Sequence, residues 1–89
     1  MARMDTSTVE KVELATLTGS ADALFELGLL YSAGREVDEN LVEAHKWFNL
    51  AAMKGNRAAL TYRQEISREL SRVDIAKAQR SARQWLQSH

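Results

Sequence analysis

The chain has 89 residues, 45% hydrophobic and 7% aromatic, with no proline and no cysteine, which describes one small all-α domain whose core is filled mainly by alanine and leucine. The missing cysteine excludes a disulfide framework and a thiolate metal site. The opening Met1-Ala2-Arg3-Met4-Asp5 lacks the apolar run of a secretory signal, and no stretch approaches the roughly 20 apolar residues needed to cross a bilayer, so a soluble cytoplasmic protein is expected.

The formal net charge of zero conceals a division. Residues 1–53 hold four Lys/Arg against nine Asp/Glu, a balance of −5, and residues 54–89 hold eight against three, a balance of +5. Solvated helix faces account for such runs in most chains; attraction of an acidic partner at one end, or head-to-tail stacking, are the alternatives.

Five helices are predicted, at about 7–18, 21–33, 39–54, 57–70 and 72–88, after a flexible N-terminus at 1–6. In the first, Ser7-x-x-Glu10 has the form of a capping box, and Val9, Val12 and Leu17 call for burial. Gly19 closes it, as Gly34 and Gly55 close later helices, because glycine enters the left-handed region without steric cost. The second helix repeats Ala23, Leu24, Leu27, Gly28 and Tyr31 at helical spacing, with Phe25 and Leu29 an apolar i, i+4 pair beside that stripe. Asn40-x-x-Glu43 opens the third helix, whose stripe is Leu41, Ala44, Trp47, Phe48, Ala51 and Ala52. The two stripes should face one another, with Gly28 admitting a close approach near Trp47 that compensates its helix cost of about 0.5–1 kcal/mol.

The fourth helix carries Ala59, Tyr62, Ile66 and Leu70. Ser71-x-x-Asp74 caps the fifth, with Leu70 and Ile75 spaced as a hydrophobic staple, and its stripe is Ile75, Ala78, Ala82, Trp85 and Leu86. These two helices have polar opposite faces, the form of an element that covers the last apolar surface of a stack. Trp47 belongs to the core stripe; Trp85, one turn from the C-terminus, fits either a core or an interface.

A shift of 36 residues superimposes Leu14–Leu24 on Leu50–Leu60 with five identities in eleven pairs: Leu14/Leu50, Ala15/Ala51, Gly19/Gly55, Ala23/Ala59 and Leu24/Leu60. The organisation read from this is a half-repeat at 7–20, a complete repeat at 21–56 and a closing helix pair at 57–89.

The set Ala23-x-x-x-Leu27-Gly28-x-x-Tyr31, Gly34, Val37, Ala44-x-x-Trp47, Ala51-Ala52, Gly55 and Ala59 resembles the Sel-one-like repeat, a branch of the tetratricopeptide-like helical repeats. The resemblance covers less than half of the chain in full. It implies a short right-handed α-solenoid of antiparallel helix pairs that serves as a scaffold for binding other proteins. Three positions depart from the family pattern: Glu36 stands for the usual second loop glycine, Asp38 for the frequent proline and Asn40 for the usual aspartate, although Asn40 still has a capping side chain. By the same resemblance, residues beside the stripe on the first helix of each pair face the concave side. Here these are Asp22, Phe25, Leu29 and Ser32, then Ala58, Thr61, Glu65 and Arg68. Phe25 and Leu29 either offer an apolar socket to a partner segment or are covered by the N-terminal helix.

Catalytic chemistry is not indicated. His45 is expected on a helix surface and His89 at the terminus; neither has a partner at metal-ligand spacing. Gly34-Arg35-Glu36 lacks the glycines and the lysine of a phosphate loop, and no serine occupies a nucleophile elbow. No enzyme activity, cofactor or metal is expected. Three binding functions remain: a groove for a protein segment; self-association through the oppositely charged halves; and nucleic-acid binding through Arg57, Arg63, Arg68, Arg72, Lys77, Arg80 and Arg83. The last is the least supported, because those residues do not share one face and Glu65 and Glu69 interrupt them.

Overall fold

The computed structural model describes residues 6–89, and these form α1 (Thr6–Thr18), α2 (Ala21–Ala33), α3 (Leu41–Met53), α4 (Arg57–Ser67) and α5 (Arg72–Ser88). The element order is that of an all-α solenoid of helix pairs. α3 is the centre, packed against α2, α4 and α5, while α1 packs on α2. The expected flexible segment 1–6 lies outside the described residues except for Thr6, which is helical.

Local chemistry explains most helix ends. Gly19, Gly34 and Gly55 all take positive φ, and Gly34, at φ 66°, returns its N–H to Leu30 O. Asn40 Oδ1 accepts from Glu43 N at 3.1 Å and Ser71 Oγ from Asp74 N at 3.1 Å. Ser20 and Asn56, which follow glycines 36 residues apart, cap α2 and α4 through Ala23 N and Ala59 N.

Three predicted boundaries move. Ser7 lies inside α1 and is not its cap, since helix already includes Thr6. α3 begins at Leu41 and ends at Met53, inside the expected 39–54, because Asn40 and Lys54 are the flanking caps. α4 stops at Ser67, before the expected Leu70. There the N–H groups of Arg68, Glu69 and Leu70 bond three residues back, to Glu65, Ile66 and Ser67, so the last turn tightens. The reciprocal half of the capping box at Asn40 is also not made: Asn40 N–H goes to Tyr31 O at 3.0 Å, and the Glu43 carboxylate accepts from Trp47 Nε1 at 3.1 Å.

The core joins Leu24 and Leu27 of α2 to Ala44, Trp47, Phe48, Leu50 and Ala51 of α3, and continues through Ala59, Ile66, Ala82 and Trp85. Gly28 does admit a neighbour, but the neighbour is Phe48: a Cβ at position 28 would overlap the Phe48 ring. Trp47 instead meets Trp85 edge to face, with centroids 6.0 Å apart. Trp85 is buried, and His89 stacks on its ring at 4.3 Å.

The repeat identities divide by environment. Ala15 and Ala51 are both buried, whereas Leu14 is 62% exposed against 0% for Leu50, and Leu60 is 42% exposed against 0% for Leu24. The shared alanines and glycines set how closely helices approach. The leucines are buried only where the next helix covers them.

Candidate functional site

Two surfaces meet at α2. On one side, Phe25 lies against Phe48 (5.6 Å between centroids) and Tyr62 (5.3 Å, edge to face), and Phe48 against Tyr62 (5.3 Å). Phe48 is fully buried, Phe25 half-buried, and Tyr62 40% exposed, so this aromatic group runs from the core to the surface between α2 and α4. Asp22 Oδ1 accepts from Asn56 Nδ2 at 3.1 Å, which ties the start of α2 to the cap of α4.

On the other side of α2, an apolar cleft of about 820 Å³ separates it from α1, lined by Leu14, Ala15, Ala23, Leu27, Leu29 and Leu30, with Lys11, Glu26, Arg35 and Glu36 at its edges. Glu36, the departure from the loop pattern, holds the loop to α1: its carboxylate accepts from Thr8 Oγ1 at 2.7 Å and pairs with Lys11 Nζ at 3.5 Å. No non-glycine residue takes positive φ among the described residues, so Glu36 enters the loop without backbone strain.

The proposed groove residues therefore divide. Asp22 and Phe25 face α4 through Asn56 and Tyr62, Leu29 borders the α1–α2 cleft, and Ser32 Oγ donates to Leu29 O within its own helix. Ala58, Thr61 and Glu65 are exposed on α4, and Arg68 is exposed just beyond its end. The expectation that α1 buries Val9 and Leu17 is overturned: Val9 is 37% and Leu17 83% exposed. The buried residues of α1 are Thr8 and Ala15, with Val12 half-buried, and Leu17 lies on the opposite side of the helix from them.

His45 is also not on the surface. It is 2% exposed, with Nε2 2.9 Å from Ser67 Oγ, while the Ser67 hydroxyl donates to Arg63 O and Arg63 Nη1 donates to Asn49 Oδ1 at 2.7 Å. Since Ser67 has already committed its proton, His45 Nε2 carries the hydrogen, and buried Nδ1 has no hydrogen-bond partner. Burial holds the imidazole below its ordinary pKa, and the Arg63 charge acts in the same direction. Protonation of Nδ1 would place an unpaired charge between α3 and α4. Position 45 looks polar in a one-dimensional stripe, which is why its burial was not readable.

The sequence pattern places neither Tyr62 nor Asn56 on this surface. For Asn56 a signal existed: an asparagine directly after a glycine, at the position equivalent to Ser20, is an N-cap. Tyr62 belongs to the predicted core stripe of its helix, yet it is 40% exposed and meets Phe25 in the second turn of α2. Among the described residues, no group of three His, Cys, Asp or Glu side chains is placed to hold a metal ion, and no helix is long and apolar enough to cross a membrane.

No curated protein and no solved structure gives a match to this chain. The family model for the Sel1 repeat matches residues 21–56, which is α2, its loop, α3 and the turn up to the cap of α4. Sel1 repeats are non-catalytic modules of protein–protein interaction. The segment that matches the Sel1 repeat is thus the helix pair α2–α3, in which Gly28 is seated on Phe48 and Asn40 caps α3.

Proposed function

We propose that this chain is a non-enzymatic scaffold that binds a short segment of a partner protein along the surface shared by α2 and α4. The observation that carries this reading is the aromatic group Phe25–Phe48–Tyr62, anchored in the core of the Sel1 repeat and half open to solvent at its α4 end. Aromatic side chains on rigid supports make effective anchors because little rotamer freedom is lost on contact. Asp22, Ser32, Thr61, Glu65 and Arg68 would form the polar surround. A surface this short suits one helical turn or a few extended residues, so affinity is modest unless copies are linked. The cysteine-free composition fits action in a reducing cytoplasm.

Site-specific photo-crosslinking tests the reading. A photoreactive residue at Thr61 or Glu65 should capture the same protein, and one at exposed Met53 of α3 should not. Tyr62→Ser should weaken capture at both positions while the chain stays helical. Equal capture from position 53, or capture indifferent to Tyr62, would remove the α2–α4 surface from consideration.

A further inference from the structure

The outer faces of the first and last described helices are chemical complements. Steps of about 100° per residue place Glu10, Glu13, Leu14 and Leu17 of α1 within one arc of about 100°, with Leu14 at the edge that borders the α1–α2 cleft. Leu14 is 62% and Leu17 83% exposed, and both glutamates are exposed. On α5 the same construction gathers Val73, Ala76, Lys77, Arg80 and Arg83 within about 120°. All are exposed, Val73 at 65%. The one acid of α5, Asp74, is half-buried beside its cap. Among the described residues, none of Glu10, Glu13, Lys77, Arg80 and Arg83 takes part in an ion pair.

A helix face with two exposed leucines and two acids is poorly suited to water. A face with one exposed valine, an alanine and three cations is poorly suited to a nonpolar neighbour but well suited to that one. The end of α1 comes close to α5 where Gly19 lies by the Trp85 ring, but the charged side chains of the two faces are exposed and form no ion pair with each other within one molecule. We infer that a second copy of the chain covers them: α5 of one molecule packs on α1 of the next, head to tail. The inference is independent of the α2–α4 surface, which stays open in such a stack. Because the contact is heterologous, it leaves a free α1 and a free α5 at the two ends, and association is open-ended unless the geometry closes a ring. A single helix-on-helix contact is small, so association requires high protein concentration.

The test is sedimentation equilibrium of the 89-residue chain from micromolar to millimolar concentration, at low salt and at about 1 M salt, where the Debye length falls to about 3 Å. At low salt the weight-average mass should rise at least about twofold above the 10.0 kDa monomer, and high salt should reduce it. Two charge-reversed variants, Glu10→Lys/Glu13→Lys and Lys77→Glu/Arg80→Glu, should each stay monomeric, because each then opposes like charges at every junction. Their equimolar mixture should associate again, since both junction types become complementary. All four positions are exposed, so circular dichroism melts should match the wild type. A wild type that is monomeric throughout, reversals that leave association intact, or a mixture that stays monomeric would each overturn the inference.

Discussion

Replacing Gly28 by alanine sets two effects against each other. Alanine in a helix interior is favoured over glycine by about 0.5–1 kcal/mol, whereas overpacking typically costs about 1–3 kcal/mol. Here a Cβ would overlap the ring of Phe48, which is fully buried and also bears on Phe25 and Tyr62, so the ring has nowhere to retreat. Gly28→Ala should therefore destabilise the fold in urea titration, and Gly28→Leu should do so severely; a stabilised alanine variant would mean that α2 and α3 are further apart than described. His45 makes a second prediction, with a definite sign. Its folded pKa is lowered by burial, so as pH falls through about 6.5 the unfolded chain takes up a proton that the folded chain does not. Stability should decline from about pH 7 downward until the folded pKa is passed. His45→Gln keeps a donor for Ser67 but cannot titrate, so its stability should be flatter across that window. An unchanged slope would assign the pH dependence elsewhere.

At the scale of elements, the caps carry more than local stability. Asn56 satisfies the first turn of α4 through Oδ1 and reaches Asp22 of α2 through Nδ2, so one side chain sets both where α4 starts and how it sits beside α2. Asn56→Ala should cost about 0.5–2 kcal/mol for the cap, read by thermal or urea denaturation. Asn56→Ser, which keeps a capping oxygen but not the reach to Asp22, should recover most of that loss. If serine were no better than alanine, the tie to α2 would be the larger contribution. α1 is the opposite case. It buries only Thr8 and Ala15, is separated from α2 by the apolar cleft, and is held to the loop by Glu36. Its amides should exchange with deuterium through local opening well before those of α3, whose residues touch three other helices. Exchange of α1 at the global unfolding rate would contradict that arrangement.

For the molecule as a whole, the distribution of exposed apolar groups separates structural from associative residues. Leu17, 83% exposed, contributes little to the fold of a single molecule, so Leu17→Ser in dilute solution should change stability by no more than about 0.5 kcal/mol. Leu50, the repeat equivalent of Leu14 and fully buried, should cost about 2–5 kcal/mol as Leu50→Ala. Nearly equal effects would mean that α1 is covered in solution even when dilute. The contrast between Leu14, 62% exposed, and its repeat equivalent Leu50, fully buried, also marks how far a pattern can be read. The period of 36 relates the turn glycines Gly19 and Gly55 and the buried alanines Ala15 and Ala51, because those positions depend on the residue's own backbone preferences and size.

Sequence alone determined the five helices, the glycine turns, the caps at Asn40 and Ser71, and the repeat over residues 21–56, since each rests on chemistry that acts within a few residues along the chain. Tertiary structure decided what those residues meet. It selected Phe48 over Trp47 as the partner of Gly28, sealed His45 between α3 and α4, gave the Glu43 carboxylate to Trp47, brought Tyr62 to Phe25, and left Leu14 and Leu17 uncovered. A helical stripe states that a face is apolar but carries no information on the rotation and offset of the neighbouring helix, and those two quantities set every one of these contacts.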